Sequence, residues 1–204
     1  MEKRNEPERN DMNILILNGG SLNGRGASCR KIAEAAVNES RARGWNVTAY
    51  DLDGMAIKPC RGCFACWLKH PGTCAIKDDE EPILRSIVAS DVQIWISPVT
   101  FGGYSPALKK ALDRSIPNIL PFFTKRHGEV HHPHRYHNRR SYLVFGTLPS
   151  PNPEAERIFH NLVRRNALNL DSVMTESRVF YDGGVETVVA GQVGELLKAA
   201  AEGR

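Results

Sequence analysis

MNILILNGGSLNGRGASC, residues 12–29, begins as an apolar run and ends in a loop of glycines and small polar residues. The run has the length of a strand and is almost unbroken, as expected for a parallel strand covered by helices on both sheet faces. Beyond the loop, Ile32, Ala33, Ala36 and Val37 recur at helical spacing. The stretch therefore predicts a central parallel strand that leads through a glycine-rich loop into a helix.

The loop after this strand is suited to binding an anion. Unpaired amides at a helix N-terminus attract negative charge, glycines let the backbone approach it, and Ser and Asn side chains add hydrogen bonds. Phosphate is the expected anion. A dinucleotide-binding loop is a competing interpretation, although no three glycines here have the G-x-G-x-x-G spacing. A strand–helix turn capped by Ser28, without a ligand, is another.

The rest of the chain repeats the alternation of strand and helix. Helices are predicted over residues 28–43, 79–89, 106–114, 154–168 and 192–201, and further strands over residues 45–52, 91–98, 141–147 and 172–181. The acidic residues that begin the helix at 79–89 stand where the helix dipole favours them. This order predicts an α/β fold, a doubly wound five-stranded parallel sheet with helices on both faces.

Composition sets further expectations. The 204 residues, 41% of them hydrophobic, are expected to form one domain over residues 12–204 after a charged, disordered tail at 1–11 without signal-peptide character. No apolar run approaches the ~20 residues of a membrane span, so a cytoplasmic protein without a membrane partner is expected. The net charge of +4 arises largely in residues 125–140, which argues against a nucleic-acid partner.

Two further loops follow predicted strands, at residues 99–105 and 148–153. The first is rich in glycine and leads into a helix with Pro106 near its first turn. Because ligands of open α/β sheets bind at the carboxyl ends of adjacent strands, we expect the three loops to share one crevice.

A long loop at residues 53–79 carries most of the cysteines. Cys60, Cys63, Cys66 and Cys74 have the spacing C-x2-C-x2-C-x7-C, which could surround one soft metal centre. An iron–sulfur cluster, a zinc ion and free thiols remain open alternatives. Cys29 lies on the first helix and is interpreted as core packing.

Residues 116–140 interrupt the alternation with three prolines and five histidines. Neither an HExxH pattern nor a Cys/His finger spacing occurs there. A solvated or subunit-contacting insertion is therefore expected in preference to a metal site or a nucleic-acid patch.

Three stretches together resemble the flavodoxin-like NADPH-dependent FMN reductase family, particularly its iron–sulfur flavoproteins. GSLNGRGAS at residues 20–28 is similar to the FMN-phosphate loop, although Asn23 stands where Arg is common and Ala27 where Asn is common. CRGCFACWLKHPGTCAIKDD at residues 60–79 is similar to the compact motif that holds a 4Fe–4S cluster. SPVTFGGYSPALKKALDR at residues 97–114 is similar to the loop and helix that hold the isoalloxazine ring.

The resemblance implies one FMN per subunit, NAD(P)H as electron donor and a quinone-like or other small acceptor. The alternative is an electron carrier, with both FMN and a 4Fe–4S cluster on Cys60, Cys63, Cys66 and Cys74, that serves another redox protein. A homodimer or homotetramer is implied, with FMN sites beside the subunit interface. The implied FMN-binding residues are Ser21, Asn23, Arg25, Ser28, Pro98, Val99, Thr100, Phe101, Gly102, Gly103, Tyr104, Gly146 and Thr147.

Within this set, ring stacking is lost or passes to Phe101, because Thr100 stands where the family often has Tyr. The backbone amides of residues 100–103 are expected near the polar edge of the ring. The flavin itself supplies the chemistry, so no acid–base side chain is assigned.

Overall fold

The computed structural model describes residues 12–20, 26–183 and 185–203, so the predicted tail at 1–11 lies outside the described residues. The strands are β1 (Asn13–Asn18), β2 (Asn46–Asp51), β3 (Val92–Pro98), β4 (Thr124–Arg126), β5 (Glu129–His131), β6 (Ser141–Leu148) and β7 (Thr175–Tyr181). The helices are α1 (Gly26–Ala42), α2 (Ala65–Leu68), α3 (Glu80–Ala89), α4 (Pro106–Asp113), α5 (Pro153–Asn169) and α6 (Val185–Glu202).

Five parallel strands form the main sheet in the order β2-β1-β3-β6-β7. Counted without the short strands β4 and β5, this is the 2-1-3-4-5 order of flavodoxin-like folds. Strands β3 and β6 are buried along their whole length, as the unbroken apolar runs predicted. The predicted fold class is confirmed.

The two faces of the sheet carry separate apolar cores. Helices α1 and α6 cover one face, where Ile32 and Leu197 are fully buried, and α3, α4 and α5 cover the other, where Leu108 and Phe159 are fully buried. Cys29 belongs to the first core, and burial raises the pKa of its thiol to about 11. The interpretation of Cys29 as a packing residue is therefore confirmed.

The last helix is longer than the sequence indicated. It begins at Val185 rather than residue 192, because Gly191 and Gly194 within it weakened the helical pattern. Gly194 faces α1, since a Cβ there would lie 2.8 Å from Glu39 Oε2 and would displace the end of that side chain. Arg43 donates to the Gly194 carbonyl at 3.1 Å, which fastens the two helices together.

The insertion at 116–140 contains a hairpin that the sequence analysis missed. Strands β4 and β5 pair in antiparallel fashion around His127 and Gly128, whose φ angles of 50° and 81° are typical of tight hairpin turns. His131 forms a hydrogen bond with Asn169 at 2.9 Å, and His134 donates one to the Leu170 carbonyl at 2.8 Å. These two histidines pin the insertion to α5 and the residue that follows it.

Among the helices of the described residues, none is both long and apolar enough to cross a membrane.

Candidate functional site

Strands β1, β3 and β6 are neighbours and parallel, so their carboxyl ends meet at one edge of the sheet. The three candidate ligand loops follow these strands and therefore start from this edge, and a crevice shared by them stays a prediction. Ser21, Asn23 and Arg25 of the first loop lie outside the described residues. Of the predicted phosphate contacts, the structure describes Ser28 alone.

Two glycines allow the first loop to pass close to its neighbours. A Cβ on Gly20 would lie 2.1 Å from Cys29 Cβ, and a Cβ on Gly19 would lie 2.6 Å from Ser105 Oγ. Ser105 caps α4 by accepting from the Leu108 amide at 3.3 Å. The beginnings of α1 and α4 are thus brought against the end of β1.

Ser28 has a different partner from the predicted one. Its hydroxyl donates to Asp182 Oδ1 at 2.6 Å, just after β7. That proton is committed to a carboxylate, so a hydrogen bond from Ser28 to phosphate requires the exchange of this partner. The role of Ser28 in phosphate binding stays a prediction. Because α1 begins at Gly26, two residues before the predicted start, Ser28 lies within its first turn and not at its N-cap.

The loop after β3 contains a tight turn at residues 100–103. Thr100 N donates to Gly103 O at 3.0 Å, and Gly103 N donates to Thr100 O at 2.8 Å. Phe101 and Gly102 between them have φ angles of 50° and 76°. The amides of Phe101 and Gly102 donate no hydrogen bond within the described residues. The predicted set of four amide donors is therefore reduced to these two.

The turn presents one aromatic side chain to solvent and rests on α5. Phe101 is fully exposed, and its stacking on a ring stays a prediction. A Cβ on Gly102 would lie 2.4 Å from Ile158 Cγ2 of α5, so only glycine permits this seating.

Several residues predicted to contact FMN are buried beneath the loop, and their contact with FMN stays a prediction. Tyr104 is buried, accepts a hydrogen bond from Asn166 Nδ2 at 2.9 Å, and has its pKa raised by burial to about 12. A Cβ on Gly146 would lie 2.8 Å from Val99 Cγ2, and Thr147 Oγ1 lies 3.3 Å from Cys29 Sγ. Pro98 and Val99 are buried as well. These side chains face the core, since they lie on or next to fully covered strands.

The four loop cysteines line one cavity of about 320 Å³, together with Arg114. Cys60 and Cys63 are exposed, Cys74 is half-buried and Cys66 is buried. Burial raises the pKa of the Cys66 thiol, and charge on Cys74, Cys60 and Cys63 would raise it further. The predicted ligands are thus neighbours across a shared cavity.

The cysteines do not converge as a metal site does. In the part of the chain that the structure describes, no group of three or more His, Cys, Asp or Glu side chains is arranged to hold a metal ion. The donor set suits an iron–sulfur cluster chemically, because such clusters take four thiolates. The cluster stays a prediction.

A buried ionic group behind the cysteine cavity was missed from sequence. Arg114 donates to both carboxylate oxygens of Asp78, at 2.9 and 3.0 Å, and to the Lys58 carbonyl at 2.7 Å. Burial alone would raise the pKa of Asp78, but hydrogen bonds from Arg114 and from the backbone lower it to about 2. This ion pair fastens both ends of the cysteine loop to the end of α4.

Glu80 lies beside that pair and is fully buried. Neither of its carboxylate oxygens has a hydrogen-bond partner in the described residues. Burial raises its pKa to about 8, although Arg114 opposes the rise. Glu80 lies in the first turn of α3, where the dipole favours it as expected, but its burial was missed from sequence. Its spacing from Ile83, Leu84 and Ile87 was the signal that it shares their buried face.

The sequence matches one known family model over much of its length. Residues 12–138 match the family described as NADPH-dependent FMN reductase. The chain belongs to this family. Among individual relatives, it is 33% identical over 92 residues to an iron–sulfur flavoprotein of Methanosarcina thermophila, covering 45% of this chain and 47% of that protein. It is 37% identical over 91 residues to an iron–sulfur flavoprotein of Methanocaldococcus jannaschii, covering 45% and 46%. The alignments thus span about half the length of these curated relatives.

Solved structures share the fold of this FMN reductase family member. An NAD(P)H:quinone oxidoreductase from Methanothermobacter marburgensis superimposes with a TM-score of 0.67 at 12% identity, over 91% of this chain and 96% of that one. An FMN-dependent NADH-azoreductase from Bacillus anthracis, solved in complex with FMN, superimposes with a TM-score of 0.56 at 12% identity, over 94% and 98%. At such identity these likenesses show the fold alone.

Proposed function

We propose that this protein binds FMN at the shared edge of β1, β3 and β6 and passes electrons from NAD(P)H to a quinone-like or other small acceptor. The observation that carries the proposal is the turn at 100–103. At the sheet edge where α1 begins, this turn presents the exposed Phe101 ring and two amides, those of Phe101 and Gly102, that donate no hydrogen bond within the described residues. Membership of the FMN reductase family supports the choice of flavin.

The residues present fit a flavin nucleotide. The N-terminal amides of α1 suit a phosphate, with Ser21, Asn23, Arg25 and Ser28 as the proposed side-chain contacts. The amides of Phe101 and Gly102 suit the polar edge of an isoalloxazine ring, and Phe101 supplies an apolar face beside it.

FMN, when bound, supplies hydride acceptance and electron transfer. The contribution of the chain is to bind and orient. Oriented amides carry partial positive charge, so those of Phe101 and Gly102 would favour negative charge on the neighbouring ring. The contact of Gly102 with Ile158 holds these amides in one direction.

A titration tests the FMN site. Purified protein titrated with FMN should quench flavin fluorescence with a stoichiometry of one per subunit. Combined replacement Ser21→Ala and Ser28→Ala should weaken binding, because each hydrogen bond to a charged group contributes about 1.5–3 kcal/mol. Ser40→Ala is the matched control, since Ser40 lies on the same helix and its buried hydroxyl lacks a partner in the described residues. Unchanged flavin affinity in the double variant would contradict the phosphate assignment.

An anaerobic assay tests the reaction. The flavin-loaded protein should bleach on addition of NADPH or NADH and recover its absorbance on addition of a quinone. Flavin that stays oxidised with both nucleotides, yet is reduced by dithionite, would exclude nicotinamide as the donor.

That outcome would favour a second candidate function, an electron carrier that holds both FMN and an iron–sulfur cluster. The supporting observation is the cavity lined by Cys60, Cys63, Cys66 and Cys74. Pairwise matches to proteins named iron–sulfur flavoproteins agree with it. In this proposal the four thiolates bind a 4Fe–4S cluster, and the acceptor is another redox protein.

Metal analysis tests the second candidate. After anaerobic reconstitution, iron and sulfide should each approach four per subunit for a 4Fe–4S cluster. Cys63→Ala should abolish most of the bound iron, whereas Cys29→Ala, which removes a thiol from the core, should retain it. One zinc per subunit without sulfide would indicate a structural zinc site instead.

A further inference from the structure

A second cavity, of about 260 Å³, lies between α4 and α5. Its floor includes Trp95 of β3 and Tyr142 of β6, and Leu112 and Leu162 line its walls. Exposed Lys109 and Asn169 stand at its rim. It lies along the covered face of the sheet and not at the carboxyl edge where the candidate flavin loops meet.

The floor is built from aromatic rings whose polar atoms are already paired. Trp95 makes edge contacts with Tyr104 and Tyr142, with ring centroids 6.1 and 5.1 Å apart. The Trp95 indole donates to Gln93 Oε1 at 3.1 Å, and Gln93 Nε2 donates to the Ile87 carbonyl at 3.4 Å. The surface offered to an occupant is therefore aromatic and apolar, with the Tyr104 and Tyr142 rings steeply inclined to the Trp95 ring.

The ionisable groups that line the cavity are neutral or have partners in the protein, which favours an uncharged occupant. Arg140 also lines the cavity, where its buried guanidinium donates to the Val88 carbonyl at 3.0 Å. Lys109 and Asp113 form an ion pair at 2.6 Å with one another. Burial lowers the pKa of His134, and its Nε2 donates to the Leu170 carbonyl at 2.8 Å. Burial raises the pKa of Tyr142 to about 12, so its hydroxyl is neutral.

One polar pair in the wall remains able to bind a ligand. Asn166 Nδ2 donates to the Tyr104 hydroxyl at 2.9 Å. The Tyr104 proton and Asn166 Oδ1 have no further partner among the described residues. A hydrogen-bond donor and an acceptor thus stand side by side above an aromatic floor, which matches a hydroxyl or carbonyl group on an aromatic ring.

We propose that this cavity binds a small, uncharged aromatic compound that carries a hydroxyl or carbonyl group. The ring packs over Trp95, and the oxygen pairs with Tyr104 and Asn166. The volume suits one or two fused rings, since an engineered apolar cavity of about 150 Å³ already holds benzene. Tyr104 directly follows the turn at 100–103, so the occupant lies behind that turn. The site does not depend on the identity of the acceptor.

The test uses protein saturated with FMN and 2-naphthol as the probe. Isoleucine and leucine methyl groups are labelled with carbon-13, so that Leu112, Leu162 and Leu170 report from the cavity. Saturable methyl shifts confined to the cavity, with the flavin absorbance unchanged, are the expected result. A perturbed flavin spectrum without cavity shifts would place the probe on the flavin and overturn the proposal. Absence of any methyl shift up to the solubility limit of the probe would also overturn it.

Three variants sharpen this result. Leu162→Trp fills the cavity and should weaken 2-naphthol binding by about tenfold or more, because the larger ring occupies the volume that the probe needs. Arg164→Trp, on the exposed face of the same helix, is the matched control and should bind as the wild type does. Tyr104→Phe keeps the shape of the wall and should weaken binding by about two- to tenfold through one lost hydrogen bond. Wild-type affinity for 2-naphthol in both Leu162→Trp and Tyr104→Phe would refute the site. A change in the sedimentation of Leu162→Trp would identify a second copy of the chain as the occupant instead.

Discussion

Gly102 and Gly44 have almost the same left-handed backbone, with φ angles of 76° and 77°, but different surroundings. A Cβ on Gly102 would meet Ile158, whereas one on Gly44 would meet nothing within 4 Å. Gly102→Ala should therefore displace the turn at 100–103 and raise the FMN dissociation constant by at least about tenfold. Gly44→Ala should only lower the free energy of unfolding, by about 1 kcal/mol, because its backbone conformation alone is strained. Flavin titration and urea unfolding of both variants measure the two effects.

Equal loss of flavin affinity in the two alanine variants would contradict this separation. It would mean that general destabilisation, and not the direction of the Phe101 and Gly102 amides, governs flavin binding.

Glu80 gives a prediction about pH. Its pKa is about 8 in the folded protein, well above the ordinary value of 4.5, so the folded state holds the proton more tightly than the unfolded chain. The resulting stability is complete below about pH 4.5 and is lost as pH rises through 8. Glu80→Gln cannot ionise. Its free energy of unfolding relative to wild type should therefore rise across this pH range, by about 1.4 kcal/mol per pH unit.

Urea unfolding at pH 5 and pH 9 measures that gain. Glu81→Gln removes a carboxylate from the same helix turn at a more exposed position and serves as the control. A stability difference between Glu80→Gln and wild type that does not change with pH would mean that Glu80 is ionised in the folded protein.

At the scale of elements, the pair between Arg114 and Asp78 joins α4 to the cysteine loop. Both side chains are almost completely buried, and removing one partner of a buried pair costs about 3–5 kcal/mol. Arg114→Ala should lower the free energy of unfolding by this amount and speed amide hydrogen exchange over residues 55–79. The control is Arg85→Ala, whose ion pair with Glu81 is exposed and should contribute about 0.5 kcal/mol or less.

Acid should act on the same pair. Since the pKa of Asp78 is lowered to about 2, its contribution is present above about pH 4 and lost as pH falls through 2. If amide hydrogen exchange over residues 55–79 in Arg114→Ala keeps the wild-type rate, contacts other than this ion pair hold the loop.

The elements that could be predicted are those whose signal is local and periodic. Strands β3 and β6 are continuous apolar runs, and their bounds differ from expectation by one residue at most. The short strand β4 (Thr124–Arg126) has no such run, so only the His127-Gly128 turn could have revealed it. The start of α6 was missed because Gly191 and Gly194 weaken the helical pattern, and the approach of Gly194 to α1 is information that only the assembled helices contain.

The site shows the same division between local and long-range information. Glycine-rich loops at strand ends were visible in the sequence, and sheet order brings them together. The direction of each side chain was not visible, because Tyr104 and Thr147 turn inward to partners that are distant in the chain. The buried group of Asp78, Glu80 and Arg114 depends on contacts across 34 or more positions, so composition alone could not assign it.

At the scale of the whole molecule, exposed aromatic residues mark a candidate subunit contact. Phe64, Trp67, His132 and Phe123 form a continuous row of rings with successive centroids 5.0 Å apart. Phe123 at the end of the row is 73% exposed, and the adjacent Phe122 is 66% exposed. Apolar patches of this kind are typical of interfaces, so we predict that a second copy of the chain covers this surface of the insertion.

Sedimentation measures that association. The wild type should sediment as a dimer or larger, and combined Phe122→Glu and Phe123→Glu should shift it towards monomer. Ala199→Glu, which adds a carboxylate on the exposed side of α6, should leave the assembly intact. A wild type that stays monomeric at every concentration would disprove the predicted contact.

Helix α4 is fixed at both ends. Ser105 caps its start beside the turn at 100–103, and Arg114 at its end binds Asp78 behind the cysteines. A helix turns by about 100° and advances by about 1.5 Å per residue. Inserting or deleting a single residue between these anchors would rotate one of them away from its partner, and no neighbouring segment could absorb the change. The β4–β5 hairpin has no such double anchor at its turn, where Gly128 stands in open space. Natural length variation among homologues should therefore collect in that hairpin and be absent from α4.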